Sequence, residues 1–291
     1  MSPGEEGIKL LVTGAGGMLG QEIVAEARRA GHGVVALAHA ELDVTESEVI
    51  RRRFDTERPA AVVNCAAYTN VDGAEEERAA AFELNGRAAG LVAAAAAEVG
   101  ASVLHISSDY VFDGRKREPY VESDAPAPLS AYGESKLAGE RPTIEANPRH
   151  FVVRSAWLFG LGGRNFVETM LRLGRERDEV RVVDDQIGSP TFCVDLAEAL
   201  VRLVATDDYG LHHVAGGGAG SWAELAAEAF RRAEVGCRVR AITTAEMDRP
   251  APRPAYSALV SERSDTPRLR PWPDGLAAYL ASRTERPGVA A

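Results

Sequence analysis

The stretch "IKLLVTGAGGMLGQEIVAEARRAG", residues 8–31, joins an apolar strand run to a helical pattern through a loop rich in glycine. Gly14, Gly17 and Gly20 stand three apart, and Gly16 adds a fourth. In a loop of this kind the first glycine permits a tight turn out of the strand. The second lets the backbone approach a pyrophosphate, and the third lets helix and strand pack closely. A helix beginning here turns free N–H groups and a partial positive charge toward an anion. The opening therefore predicts a strand–turn–helix unit with a dinucleotide site at its mouth, Gly14, Gly17 and Gly20 being its first candidate residues.

The pattern continues in the same alternation. Strand runs at 33–38, 60–67, 101–108 and 150–157 are separated by helical patterns at 47–57, 79–100 and from 131 onward. Continuous apolar strands alternating with helices predict an α/β fold: a Rossmann-type, doubly wound parallel sheet covered on both faces. Ligands then bind at the carboxyl ends of the strands. Beyond residue 160 helices near 165–176, 193–205 and 221–234 alternate with short strands near 180–183, 210–214 and 238–242, and prolines break the last third into loops. We expect a nucleotide-binding domain over 1–160 and a smaller C-terminal substrate-binding lobe over 161–291, partly interleaved with the first.

Composition excludes several classes. The net charge of -10 and the scattered arginines leave no basic stripe for nucleic acid. The longest apolar run, "AAGLVAAAAAEVG" at 88–100, is too short to span a bilayer. Cys65, Cys193 and Cys237 are odd in number and widely spaced, which argues against a disulfide framework or a zinc site and for a reducing cytoplasm. The six histidines show no metal spacing, and the adjacent His212 and His213 read as strand residues pointing to opposite faces. No metal is expected.

The segment "SAYGESKLAGE" at 130–140 carries the chemistry. Lysine occurs only at 9, 116 and 136, against thirty arginines, yet Lys136 follows Tyr132 by one helical turn. A compact ammonium beside a tyrosine favours the phenolate and is expected to lower the phenol's pKa toward neutrality. It can also donate to the ribose of a nicotinamide nucleotide, a task for which a broad guanidinium fork is poorly shaped. Strand four ends "SSD" at the cleft edge, so the hydroxyl of Ser108 can bond a substrate oxygen while Tyr132 gives it a proton. Together these residues predict hydride transfer between a nicotinamide and a carbonyl carbon. Beyond the second strand, Glu41 lies near the distance of a ribose-binding acid, while His39 is placed to meet a 2′-phosphate. NADPH is thus the expected cofactor, with NADH as the alternative.

Five segments, "HISSDYVFDG", "APLSAYGESKLAGE", "VVRSAWLFG", "DDQIGSPT" and "RPAYSALV", closely resemble the dTDP-4-dehydrorhamnose reductase branch of the extended short-chain dehydrogenase/reductase superfamily. The resemblance covers about residues 8–282 and implies reduction of the 4-keto group of a dTDP-linked 6-deoxyhexose, with a homodimer as the implied assembly. It casts Tyr132 as the acid, Lys136 as its partner and Ser108 in place of a catalytic hydroxyl that is usually threonine. It places Gly14, Gly17, Met18, Leu19 and Gly20 around the pyrophosphate, Asp43 and Val44 beside the adenine, and Ala66, Ala67 and Tyr68 beside the ribose and phosphates. Asp109, Tyr110, Trp157, Gln186 and Arg253 would join Ser108 in the sugar-nucleotide site. A related epimerase, or a regulatory subunit that binds nucleotide without catalysis, are the alternatives. Pro142 departs from the family pattern, and a kink is expected where it enters the catalytic helix.

Overall fold

A computed structural model describes residues 7–285. Six parallel strands form the central sheet: β1 (Lys9–Thr13), β2 (Gly33–Leu37), β3 (Ala61–Asn64), β4 (Ser102–Ser108), β5 (His150–Ser155) and, from far along the chain, β10 (Gly210–His213). Their spatial order is β10-β5-β4-β3-β1-β2. Winding reverses between β1 and β3, which opens a crevice at their carboxyl ends. Gly14 leaves one of these strands there and the loop from Cys65 leaves the other.

Helices cover both faces. On one face α1 (Met18–Arg29) and α8 (Cys193–Val204) pack over Leu10, Val12, Leu104, Phe151 and Val153. On the other, α2 (Ser47–Glu57) and α5 (Ala88–Glu98) pack over Leu11, Val62 and Val103. The small helices α3 (Gly73–Glu76) and α4 (Arg78–Phe82) lead into this layer. Strand residues alternate between the two clusters, as the period-two geometry of a two-sided sheet requires.

One expectation about helices is corrected. The pattern over 79–100 is not one regular helix: a π-turn at Glu83–Arg87 separates α4 from α5. The wide turn frees Asn85 to reach outside the helix, and such insertions tend to sit at functional sites. Pro142 does not end or divide α6 (Ala131–Ala146), which runs through it. Small residues on the facing helix take up the ring, since a Cβ at Gly90 would lie 2.9 Å from the Pro142 Cβ. The same close approach recurs at Gly139, where a Cβ would run into the Asn85 carbonyl oxygen.

A second core lies beyond the sheet. It gathers Phe159 and Leu161 with Val167 and Leu171 of α7 (Phe166–Glu176), Val180 of β7 (Glu179–Val183), Leu225 and Phe230 of α9 (Trp222–Arg232), and Tyr279 of α10 (Trp272–Glu285). Strand β7 pairs in parallel with β12 (Arg238–Ile242). Short pairs join β6 (Leu158–Phe159) to β9 (Thr191–Phe192) and β8 (Ile187–Gly188) to β11 (Gly220–Ser221). Helix α9 starts with a capping box between Ser221 and Glu224. The proline-rich last third holds more order than its composition suggested, because α10 closes this core. Through α8 and β10 the chain beyond residue 160 also returns to the first body. In β10 the two histidines find separate partners, His212 at Thr266 and Asp208 and His213 at Tyr120, Val260 and Arg154. Among the described residues no helix is long and apolar enough to cross a membrane.

Candidate active site

The glycine loop forms a cradle that side chains would fill. Gly14 has φ 63°, and a Cβ there would lie 2.6 Å from the Ala66 nitrogen. A Cβ at Gly20 would run into the Gly14 carbonyl oxygen. Gly17 caps α1 without a side-chain hydrogen bond, and the first turn of α1 carries no acid. The orphan amides of that turn are therefore available to an anion. Met18 lies against Gly160 and Gly163 of the neighbouring loop. Leu19 is buried in the sheet core, so it can offer a ligand only its backbone.

The other cofactor candidates are less uniform. His39 is exposed beyond the end of β2. Glu41 accepts the Ala38 N–H at 2.9 Å, so its carboxylate is engaged with its own turn. Asp43 likewise accepts from the Thr45 N–H at 2.9 Å and the Thr45 hydroxyl at 2.7 Å, bonds that hold its carboxyl below the usual range. Val44 is a core residue, 3% exposed, and its side chain does not face the crevice. Ala66, Ala67 and Tyr68 follow β3. Their loop is pinned by Asn85, which accepts the Tyr68 N–H at 2.8 Å and donates to the Tyr68 carbonyl at 3.0 Å and to Ser135 Oγ at 2.9 Å. Sequence reasoning missed Asn85, because a π-turn inside an alanine-rich helix leaves no periodic trace.

Tyr132 and Lys136 share a face of α6, as their spacing predicts. Lys136 is 2% exposed, and its Nζ donates to the Ile106 carbonyl of β4 at 2.6 Å. Burial pushes its pKa down to about 8, with Glu140 pulling the other way. The expectation that this lysine lowers the phenol's pKa is corrected. Burial pushes Tyr132 up to about 12, only partly offset by a hydrogen bond with Ser108. The physical reason is desolvation, which disfavours the phenolate, while the Lys136 ammonium is engaged with the Ile106 carbonyl. A phenol that keeps its proton at neutral pH is in the form a proton donor needs.

Ser108 caps the short turn at Asp109–Val111, accepting the Tyr110 N–H at 3.2 Å and donating to Asp109 Oδ1 at 3.0 Å. Asp109 also accepts from Ser257 Oγ at 2.6 Å, and burial pushes its carboxyl up to about 6. The Tyr110 ring meets the Tyr132 ring edge-on, centroids 5.4 Å apart, and burial raises its phenol. Tyr110 thus links Tyr132 to the wall of a cavity of about 570 Å³.

Three substrate candidates line that cavity: Tyr110, Gln186 and Arg253. Gln186 donates to Thr244 Oγ1 at 2.9 Å and accepts from Trp222 Nε1 at 3.2 Å. Arg253 bonds Asp72 at 3.0 Å and the Ala251 carbonyl at 2.7 Å. Trp157 does not line the cavity. It stacks behind Trp222 with rings 3.5 Å apart and 4° from parallel, so Trp222 supplies the exposed surface. Ser108 and Asp109 lie behind Tyr110 and are not part of the cavity's wall. Phe166, Arg181 and Arg249 also face it and were not singled out in the sequence, since they come from separate elements with no shared motif. An aromatic wall with several guanidinium groups suits a base and a diphosphate.

Known proteins resemble this chain along its length. The family described as RmlD substrate binding domain matches residues 8–285. A dTDP-4-dehydrorhamnose reductase of Streptomyces griseus is 44% identical over 90% of this chain and 88% of its own. A dTDP-4-keto-6-deoxy-D-glucose reductase of Streptomyces niveus is 42% identical over 86% of this chain and 87% of its own. The crystal structure of a Bacillus anthracis dTDP-4-dehydrorhamnose reductase in complex with NADP superposes with a TM-score of 0.93, at 38% identity, over 95% of this chain and 99% of that one.

Proposed function

This chain belongs to the RmlD substrate binding domain family, and from that premise we propose that it is an NAD(P)H-dependent reductase of the 4-keto group of a dTDP-4-dehydro-6-deoxyhexose. The observation that carries the reading is the position of Tyr132 and Lys136 between an uncapped glycine cradle and an aromatic, arginine-bearing cavity. The cradle would hold the pyrophosphate on the amides that follow Gly17, and Lys136 would donate to the nicotinamide ribose. NADPH is the cofactor, with NADH as the alternative. The second lobe binds the sugar nucleotide.

A nicotinamide held there would supply a hydride to the C4 carbonyl carbon. As the carbonyl electron pair moves onto oxygen, Tyr132 gives that oxygen its phenolic proton and later regains one from solvent. Ser108 would steady the same oxygen once its single hydroxyl proton turns from Asp109 toward it. General acid catalysis of this kind is worth about 10²- to 10⁴-fold. Gln186 and Arg253, with Trp222, hold the nucleotide end. A cytoplasmic homodimer completes the proposal.

Both relatives' names share the 4-keto-6-deoxyhexose and differ in the sugar. The test follows nicotinamide absorbance with NADPH and then NADH on adding dTDP-4-dehydro-6-deoxyglucose, with and without a 3,5-epimerase. Oxidation that requires the epimerase identifies the rhamnose series, and oxidation without it the glucose series. No oxidation under either condition would overturn the reductase reading.

A further inference from the structure

Beneath the catalytic helix lies a buried charge pair that the reaction as written does not use. Glu140 stands one turn beyond Lys136 on α6 and is 5% exposed. Its Oε1 accepts from Ser107 Oγ at 2.6 Å and from Arg154 Nε at 2.8 Å, and its Oε2 accepts from Arg154 Nη2 at 2.7 Å. Arg154, on β5, is 3% exposed and covers the Phe112 ring at 5.0 Å. Its Nη1 lies 3.5 Å from His213 Nε2. The carbonyls of Tyr120 and Val260 face His213 Nδ1, which places the ring proton there and leaves Nε2 as an acceptor for Arg154.

A buried ion pair is a weak device for stability, because well-packed apolar residues often serve equally well. Its position suggests a different use. Ser107 precedes Ser108 on β4 and is in register with Arg154 on β5. Glu140 therefore ties together the strand end that carries Ser108 and the helix turn that carries Lys136.

The charges around Lys136 make the case sharper. From its own helix it faces Glu140, from the end of β3 Cys65 and from β4 His105, while Arg154 of β5 lies behind Glu140. Burial pushes the Cys65 thiol up to about 12 and holds His105 well below its ordinary value, so neither carries charge at neutral pH. Tyr132 keeps its proton as well. Glu140 is the one group of opposite charge left to support the buried ammonium, and it acts on Lys136 in that direction.

We propose that Glu140, clamped by Arg154 and Ser107, is a positioning residue that keeps Lys136 ionised and holds its helix turn against the strand carrying Ser108. This rests on the reductase reading for its effect on turnover, but its first test does not. The chain has three lysines, so the lysine side-chain NMR signals of the cofactor-free protein are few and K136M assigns the third. In E140Q the Lys136 signal titrates about one pH unit lower than in wild type. The double variant E140L/R154M removes both charges, recovers the thermal stability that E140Q loses by stranding Arg154, and keeps the lowered titration. The charged but shorter E140D moves the titration back toward wild type. An unchanged Lys136 titration in E140Q and in the double variant would overturn the proposal. In turnover, E140Q lowers the alkaline limb of the kcat profile by the same pH interval, while KM for the sugar nucleotide stays within about twofold, since Glu140 does not line the cavity. Full recovery of the kcat profile in the double variant, together with its stability, would show a purely structural pair and also overturn it. A wild-type protein that oxidises no nicotinamide would remove the reductase reading and leave the NMR titration to decide the role of Glu140.

Discussion

At the mouth of β1 the molecule presents backbone: Gly14 at φ 63°, the bare start of α1, and the loop from Ala66 to Tyr68. Across the cleft, the cavity wall is made of side chains, among them Tyr110, Phe166, Gln186, Trp222 and Arg253, drawn from five separate places in the chain. The two halves suit ligands by different physics. A phosphate chain is the same in every nicotinamide nucleotide, and a fixed array of N–H groups suits it. A sugar nucleotide must be told from its relatives, which takes shaped side chains with particular hydrogen bonds. The first half should therefore tolerate almost no added atoms, and the second should tolerate truncation at the expense of affinity.

The largest expected effect falls where the halves meet. Tyr132→Phe removes the proposed proton donor and leaves the cradle intact. It should lower kcat by about 10²- to 10⁴-fold, with nicotinamide affinity by fluorescence titration nearly unchanged. A parallel loss of cofactor affinity would mean that Tyr132 belongs to the cradle and not to the chemistry.

Gly14→Ala is the sharpest probe of the backbone half. The added Cβ meets the Ala66 nitrogen at 2.6 Å in a region of φ that alanine adopts at a cost of about 1–2 kcal/mol before any clash. The clash is with backbone, which has little room to yield. Cofactor affinity should fall at least about tenfold, and the melting temperature should drop with it. Wild-type affinity in this variant would break the comparison outright.

Trp222→Ala probes the other half. It opens the cavity and exposes Trp157, which should raise KM for the sugar nucleotide about tenfold with little change in cofactor affinity. An unchanged KM would mean that the sugar nucleotide does not use this wall.

The smallest effect concerns Asp109. Burial raises its folded pKa to about 6 from an ordinary value near 3.8. An acid whose pKa is raised on folding contributes stability that is fully present below its unfolded pKa and lost as pH rises through its folded one. The wild-type protein should thus lose about 3 kcal/mol or less between about pH 4 and pH 6 from this group. Asp109→Asn should flatten that part of the denaturation profile while slowing turnover, because the hydroxyls of Ser108 and Ser257 lose their charged acceptor. A profile identical to wild type would show that Asp109 ionises as freely in the fold as outside it.

The same contrast explains what could be read in the sequence. The sheet was legible because each buried strand is a continuous apolar run, and the glycine loop because no other residue satisfies the contacts at 14 and 20. Tyr132 and Lys136 were legible because a helix puts i and i+4 on one face. Trp222, Phe166 and Arg181 were not, since they converge only after α7, β7 and α9 have packed. Asn85 was hidden by its π-turn. Glu140 and Arg154 lie within matched segments that gave them no role, and only burial sets them apart. Val44 and Leu19 lie within motif matches while their side chains belong to the core, which leaves their backbone to meet a ligand. Desolvation was also invisible, which is why the expected direction of the Tyr132 shift was wrong.

The central claim is net transfer of hydride to the sugar's C4, and isotope tracing tests it most directly. NADPH deuterated at C4 of the nicotinamide, in the stereochemistry that the enzyme transfers, should give a product one mass unit heavier. The deuterium should sit at the sugar's C4 and one equivalent of cofactor should be consumed for each sugar. A sugar that changes configuration with no cofactor consumed, or a bound nucleotide that never loses its label, would contradict the account and point to an epimerase or to a protein that binds without reducing.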